Sequence, residues 1–170
     1  MPSAPSPKSS ESTTEARSPD RSPWLRWVPV VVWAGFISWF SGDAFSARST
    51  HNYIDPILRL LFGDLTPEGF RYWHAVVRKS AHFIEYCVLA LLLVRALATP
   101  SKPVPATTGL LAVGMCGLFA SADELHQFFV PSRGGSALDV ALDTFGAVIG
   151  TLLFVAFRRL TTRPGAQPAQ

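Results

Sequence analysis

Charge is scarce in this chain. Only 16% of its 170 residues are Asp, Glu, Lys or Arg, against roughly a quarter in an ordinary soluble domain, and 48% are hydrophobic. Cysteine is scarcer, with two in the whole chain. That excludes a disulfide framework and any CxxC metal or redox motif. Cys87 and Cys116 both lie inside apolar runs and read as small hydrophobic fillers. Basic runs are also missing. The fifteen Lys and Arg are scattered and the formal net charge is only +3, so no stripe or motif for nucleic acid exists. There is no HExxH and no GxSxG. Ser80, Ser121, Ser132 and Ser136 therefore read as caps or turn residues rather than nucleophiles. His82, Glu85, Glu124, His126 and Asp139 match no metal-ligand spacing. Neither a metal nor a cofactor is expected.

What the chain does have is long apolar runs. Mean hydropathy is +0.24, and four stretches are candidate membrane spans: 24–41, 79–98, 106–128 and 137–157. The first is short and carries Trp24, Trp27, Trp33 and Trp39, with Trp at both ends as an interfacial anchor. A cleaved signal peptide is the rival reading, disfavoured because Phe45 stands two before Ala47, where a small residue would mark a good cleavage site. Residues 1–23 are rich in Ser and Pro and predict a disordered tail, as does the Pro/Gln segment 159–170. Between the first two spans, the apolar segment Tyr53 to Phe62 is too short to span and predicts an interfacial helix. Thr66-Pro67-Glu68 is a helix start: Thr as N-cap, Pro at the first position, an acid in the first turn. The expected architecture is all-α, a four-helix transmembrane bundle with one additional interfacial helix, over 24–158.

With four spans, the two tails and the second connection share one side. That side holds nine Lys and Arg against six on the other. The positive-inside rule then predicts a plasma-membrane protein with both termini cytoplasmic.

Polar residues gather at the predicted outer ends of the spans. Ser121 to Asp143 holds Asp123, Glu124, His126, Gln127, Arg133, Asp139 and Asp143 between two apolar runs. Ionisable groups in such places are costly and mark functional sites. In the second span Lys79, His82, Glu85 and Tyr86 share a helical arc, and Ser80 points elsewhere. In the third, Asp123 and Gln127 continue a stripe of small residues through Ala120, Cys116 and Gly109. In the fourth, Asp139 and Asp143 lie above Gly146 and Gly150, a GxxxG pair of the kind that lets helices approach closely. These faces are expected to converge. The five carboxylates outnumber Lys79 and Arg133 by three, an excess that burial must relieve by exposure, protonation, pairing with His or a cation.

The residues leave several roles open. One is an ionic lock, Lys79 with Asp123 or Asp139 and Arg133 with Glu124. A second is a ligand site formed by Lys79, His82, Glu85, Tyr86, Asp123, Glu124, Gln127, Arg133, Asp139 and Asp143. A third is an enzyme acting on a lipid-linked or phosphorylated head group through His82, Glu85, Glu124 or Asp139. A fourth is a proton-coupled carrier.

Three blocks bear a family resemblance. They are Phe40-Ser41; the KSAHFIEY segment Lys79 to Tyr86; and Asp123-Glu124-Leu125-His126-Gln127 with Pro131-Ser132-Arg133, Ser136-x-x-Asp139 and Asp143-x-x-Gly146. The chain resembles the VanZ-like family of small membrane proteins over roughly 24–157. The resemblance implies a link to glycopeptide (teicoplanin-type) resistance, with the molecular activity unknown. The chain then reads as a cell-envelope protein, non-enzymatic or of unknown chemistry, that binds an envelope component or the antibiotic at the outward polar site. Its partners would be membrane lipids and a cell-wall precursor or glycopeptide, with no nucleic acid.

Overall fold

A computed structural model describes residues 23–41, 56–100, 102–129 and 135–161. The expected N-terminal tail, Tyr53 to Asp55, Arg133 and the last nine residues lie outside these. A 3-10 turn, Pro23–Arg26, leads into helix α1, Val28–Phe40. Residues 56–62 are helical (α2). Three longer helices follow: α3, Pro67–Leu97; α4, Ala106–Phe128; and α5, Ala137–Thr161. There is no strand among the described residues.

Helices α3, α4 and α5 are each long and apolar enough to cross a membrane. At 1.5 Å per residue the 31 residues of α3 reach about 46 Å, well beyond a hydrocarbon core of about 30 Å. The 13 residues of α1 cover only about 20 Å. Three helices are thus long and apolar enough to span, and α1 falls short by itself. Even so, α1 and the turn before it touch both ends of the bundle. In that turn, Arg26 donates to Arg95 O (2.8 Å) and to Ala98 O, closing carbonyls at the C-terminus of α3. At the end of α1, Ser41 meets α4.

The start of α3 is the one the sequence predicts. Thr66 caps it, its Oγ1 accepting from Gly69 N at 3.2 Å, with Pro67 in the first turn. Because α3 begins twelve residues before Lys79, its first turns project past the ends of α4 and α5. Helix α2 packs there: Phe62 stacks on Trp73 at 4.1 Å, and Leu58 is buried. The turn between them is made at Gly63, whose φ of 73° suits a residue without Cβ. Helix α5 runs to Thr161, a turn further than expected.

The core is built of small and medium side chains. On α4, Gly109, Ala112, Cys116, Ala120, Asp123 and Gln127 form one buried stripe. Against it lie Tyr86, Leu89, Ala90, Leu93 and Val94 of α3 and Ala147 of α5. The closest approach is α3 on α5: a Cβ on Gly146 would lie 2.5 Å from Phe83 O, and one on Gly150 2.1 Å from Cys87 O. The large apolar residues Leu110, Leu118, Leu152, Leu153, Phe157 and Leu160 face outward, which suits hydrocarbon as the surrounding solvent.

Charge is segregated along the bundle. Arg26, Arg95, Lys102, Arg158 and Arg159 gather where α3 and α5 end and α4 begins, and Arg158 donates to Thr99 O and Lys102 O. None of the seven described carboxylates is at that end. The rest of the described chain carries four cations (Arg59, Arg71, Arg78, Lys79) against those seven.

Candidate functional site

The polar residues lie about 22–28 Å along the helices from the basic end, at a rise of 1.5 Å per residue. They fall into two groups, one with its hydrogen bonds made throughout and one with several buried atoms left without.

The first group joins α1, α4 and α3. Ser41 Oγ donates to Asp123 Oδ2 at 2.6 Å. Gln127 Nε2 donates to the same oxygen at 2.9 Å and lies 3.4 Å from Ser41 Oγ. Arg78 Nη2 donates to Gln127 Oε1 at 2.7 Å. Asp123 is 7% exposed, Ser41 1% and Gln127 fully buried. The carboxylate of Asp123 thus faces the guanidinium of Arg78 through one amide. Satisfied networks of this kind rigidify and specify a packing.

The second group lies between α3, α4 and α5. Lys79 Nζ pairs with Asp139 Oδ1. Ser136 N donates to Glu124 Oε2 at 2.8 Å. Ser136 also opens α5, its carbonyl accepting from Asp139 N and Val140 N. The chain passes tightly here, since a Cβ on Gly135 would lie 2.5 Å from Glu124 O. The remaining polar atoms are not satisfied. Glu124 Oε1, both carboxylate oxygens of Asp143 and His82 Nδ1 are buried without a hydrogen-bond partner. His82 Nδ1 comes no nearer than 3.7 Å to Asp143 Oδ2. These atoms surround a small cavity lined by Arg78, Lys79, His82, Glu124, Asp139, Leu142 and Asp143. Its volume is about 10 Å³, room for a single water-sized group.

Unpaired buried carboxylate oxygens are costly. The cavity walls carry two cations and three carboxylates, so one positive charge, on His82 or on a ligand, completes the balance. The charge of these walls suits a donor-rich or cationic group and disfavours a further anion.

The sequence-derived site is therefore divided. Lys79, His82, Glu124, Asp139 and Asp143 meet around the cavity. Asp123 and Gln127 turn instead to Ser41 and Arg78. Tyr86 is fully buried beside Phe119, and its hydroxyl has no hydrogen-bond partner; it does not line the cavity. Glu85 is half-buried and also lies off the cavity; its backbone carbonyl accepts from Trp33 Nε1 at 2.9 Å. The shared arc of α3 splits because α5 covers one side of it and α1 and α4 cover the other. His126 is exposed and lines a different hollow, with Ser38, Phe119 and Asp123. Of the ion pairs expected for a lock, Lys79–Asp139 is made, and Glu124 takes a backbone amide. Among the described residues, no group of three or more His, Cys, Asp or Glu side chains is arranged to hold a metal ion.

Two residues of the site were not predicted. Arg78 lies four residues before His82 on the same helical face, a spacing that could have found it. Ser41 carries no such signal, because its role depends on meeting Asp123 across 82 residues.

A family model described as VanZ/LLP1 matches residues 4–158. No curated protein and no solved structure matches the chain.

Proposed function

Since the chain belongs to the VanZ/LLP1 family and has three helices able to cross a membrane, we propose that this VanZ-like membrane protein is a binding protein of the cell envelope. In this reading the α3–α4–α5 cavity faces the outer leaflet, holds the head group of an envelope component, and so contributes to glycopeptide (teicoplanin-type) resistance. The observation that carries it is the set of vacant, buried oxygens of Glu124 and Asp143 around a cavity the size of one small group. The Ser41–Asp123–Gln127–Arg78 network, with its hydrogen bonds made, already supplies an architectural lock. The test is glycopeptide susceptibility with and without the gene, repeated with Glu124→Gln and Arg133→Ala. Susceptibility should rise without the gene and rise again to that level with Glu124→Gln. Equal susceptibility in every strain sinks the resistance reading.

The orientation belongs to the same proposal. The five cations at the end without carboxylates favour that end in the cytoplasm, and with it both termini, α1 and its preceding turn serving as the fourth span. The contacts of α1 at both ends of the bundle support this. Helix α2, with Ile57, Leu60 and Leu61 exposed, would lie at the outer interface. In a chain whose Cys87 and Cys116 are replaced by Ala, a membrane-impermeant maleimide should label Asp64→Cys in intact cells and Lys102→Cys only after permeabilisation. The reverse pattern would invert the assignment.

A further inference from the structure

An apolar groove of about 510 Å³ opens beside the polar cavity, within the range of small-molecule sites. It is lined by Val76, Lys79, Ser80, Phe83, Ile84 and Leu142. Lys79 and Leu142 line the cavity as well, so the two spaces adjoin across the α3–α5 crevice. The groove is open and apolar; the cavity is small, less open and lined by buried carboxylate oxygens without hydrogen bonds. Glu124 Oε1 and the two oxygens of Asp143 supply three such acceptors. The residues that carry them are 5% and 1% exposed. A primary ammonium has three N–H donors, one positive charge and the size of a water. With His82 neutral, 3.7 Å from Asp143 Oδ2, it answers both the number of acceptors and the missing charge. Lys79, already paired with Asp139 but 44% exposed at the junction, stands where an anionic group attached to that ammonium would lie.

Resting on the ligand-site reading given above, we propose that the ligand is a membrane phospholipid whose head group ends in a primary ammonium. The ammonium occupies the cavity between Glu124 and Asp143, the phosphate stands at Lys79, and an acyl chain lies in the groove along Phe83 and Ile84. A methylated head group loses the N–H donors and exceeds the cavity. A head group without an amine leaves the carboxylate oxygens unpaired.

The test uses the purified full chain in detergent and native mass spectrometry with four probes. These are phosphatidylethanolamine, phosphatidylcholine and phosphatidylglycerol of matched chains, and glycerophosphoethanolamine, which has the head group alone. One phosphatidylethanolamine per chain should be retained, with a preference over the other two lipids of about tenfold or more, as expected when a site built for N–H donors meets a ligand lacking them. Glu124→Gln and Asp143→Asn should each erase the preference. Ser80→Trp, at an exposed position in the groove, should weaken retention while leaving the helices intact, and it carries the chain-binding part of the test if Asp143→Asn fails to fold. Equal retention of the three lipids overturns the proposal, as does equal binding of the chain-free probe. If lipid preference is absent while Glu124→Gln still alters glycopeptide susceptibility, the site reading stands and the aminolipid falls. If neither changes, both fall.

Discussion

Gly150→Ala should leave little folded protein, because its Cβ would enter backbone that cannot yield. That atom would lie 2.1 Å from the Cys87 carbonyl oxygen and 2.9 Å from its carbon. Overpacking a flexible side chain costs about 1–3 kcal/mol, and here a backbone carbonyl has to move with its helix, so a loss at or above the top of that range is expected. Gly146→Ala faces the Phe83 carbonyl at 2.5 Å and should behave alike. Gly35 and Gly114 are the controls. A Cβ at either meets nothing within 4 Å, and Ala there should be neutral or stabilising by up to about 1 kcal/mol through helix propensity. Thermal unfolding in detergent, followed by size-exclusion profile, measures all four. If Gly150→Ala unfolds no earlier than Gly114→Ala, the two helices are not as close as described. The same substitution should damage the site, since the α3–α5 approach is what sets Lys79 and His82 opposite Asp139 and Asp143.

Arg78→Met should destabilise the protein by about 1.5–3 kcal/mol, the usual worth of a hydrogen bond to a charged group. Arg78 reaches Asp123 only through Gln127, so the loss should appear in full only while residue 123 is a carboxylate. In the Arg78→Met, Asp123→Asn double variant most of the stability should return, because the Asn amide can still accept from Ser41 and the unpaired charge is gone. A double-mutant cycle read by denaturant unfolding gives the coupling directly. Additivity of the two substitutions would show that the Arg78–Gln127–Asp123 relay carries no energy. Arg78→Lys should not substitute fully, since a lone ammonium lacks the planar fork that reaches the Gln127 oxygen from this distance.

The sequence made much of this legible where a short-range rule applies. Thr66-Pro67-Glu68 marks the start of α3 because capping is a local interaction. The stripe from Gly109 to Gln127 and the Gly146/Gly150 pair could be read because helical period fixes which residues share a face. The meeting of Lys79 with Asp139 followed from charge and from both helices placing polar residues at one end. Other features depend on which neighbour each face finds. Lys79, His82, Glu85 and Tyr86 do share an arc, yet two different neighbours cover it, and period alone cannot divide it. Arg78 was hidden by placing the second span at Lys79, although the cap at Thr66 already puts residue 78 deep within a helix. The apparent excess of carboxylates was larger for want of that one guanidinium. Ser41 needed the tertiary contact itself. The length of α1 also resisted reading, since its apolar run extends into a 3-10 turn rather than a continued helix.

The segregation of charge bears on the electrical work of assembly. In a membrane negative inside, each elementary charge carried across 100 mV is worth about 2.3 kcal/mol. The chain set with Arg26, Arg95, Lys102, Arg158 and Arg159 inward has its cations at the low-potential face and its net negative portion at the other. Inverting it would drive five positive charges outward and a net negative region inward, both against the field. An energised membrane would hold such a molecule in one orientation, and a depolarised one would remove that bias, leaving the hydration of the same five side chains as the remaining barrier to inversion.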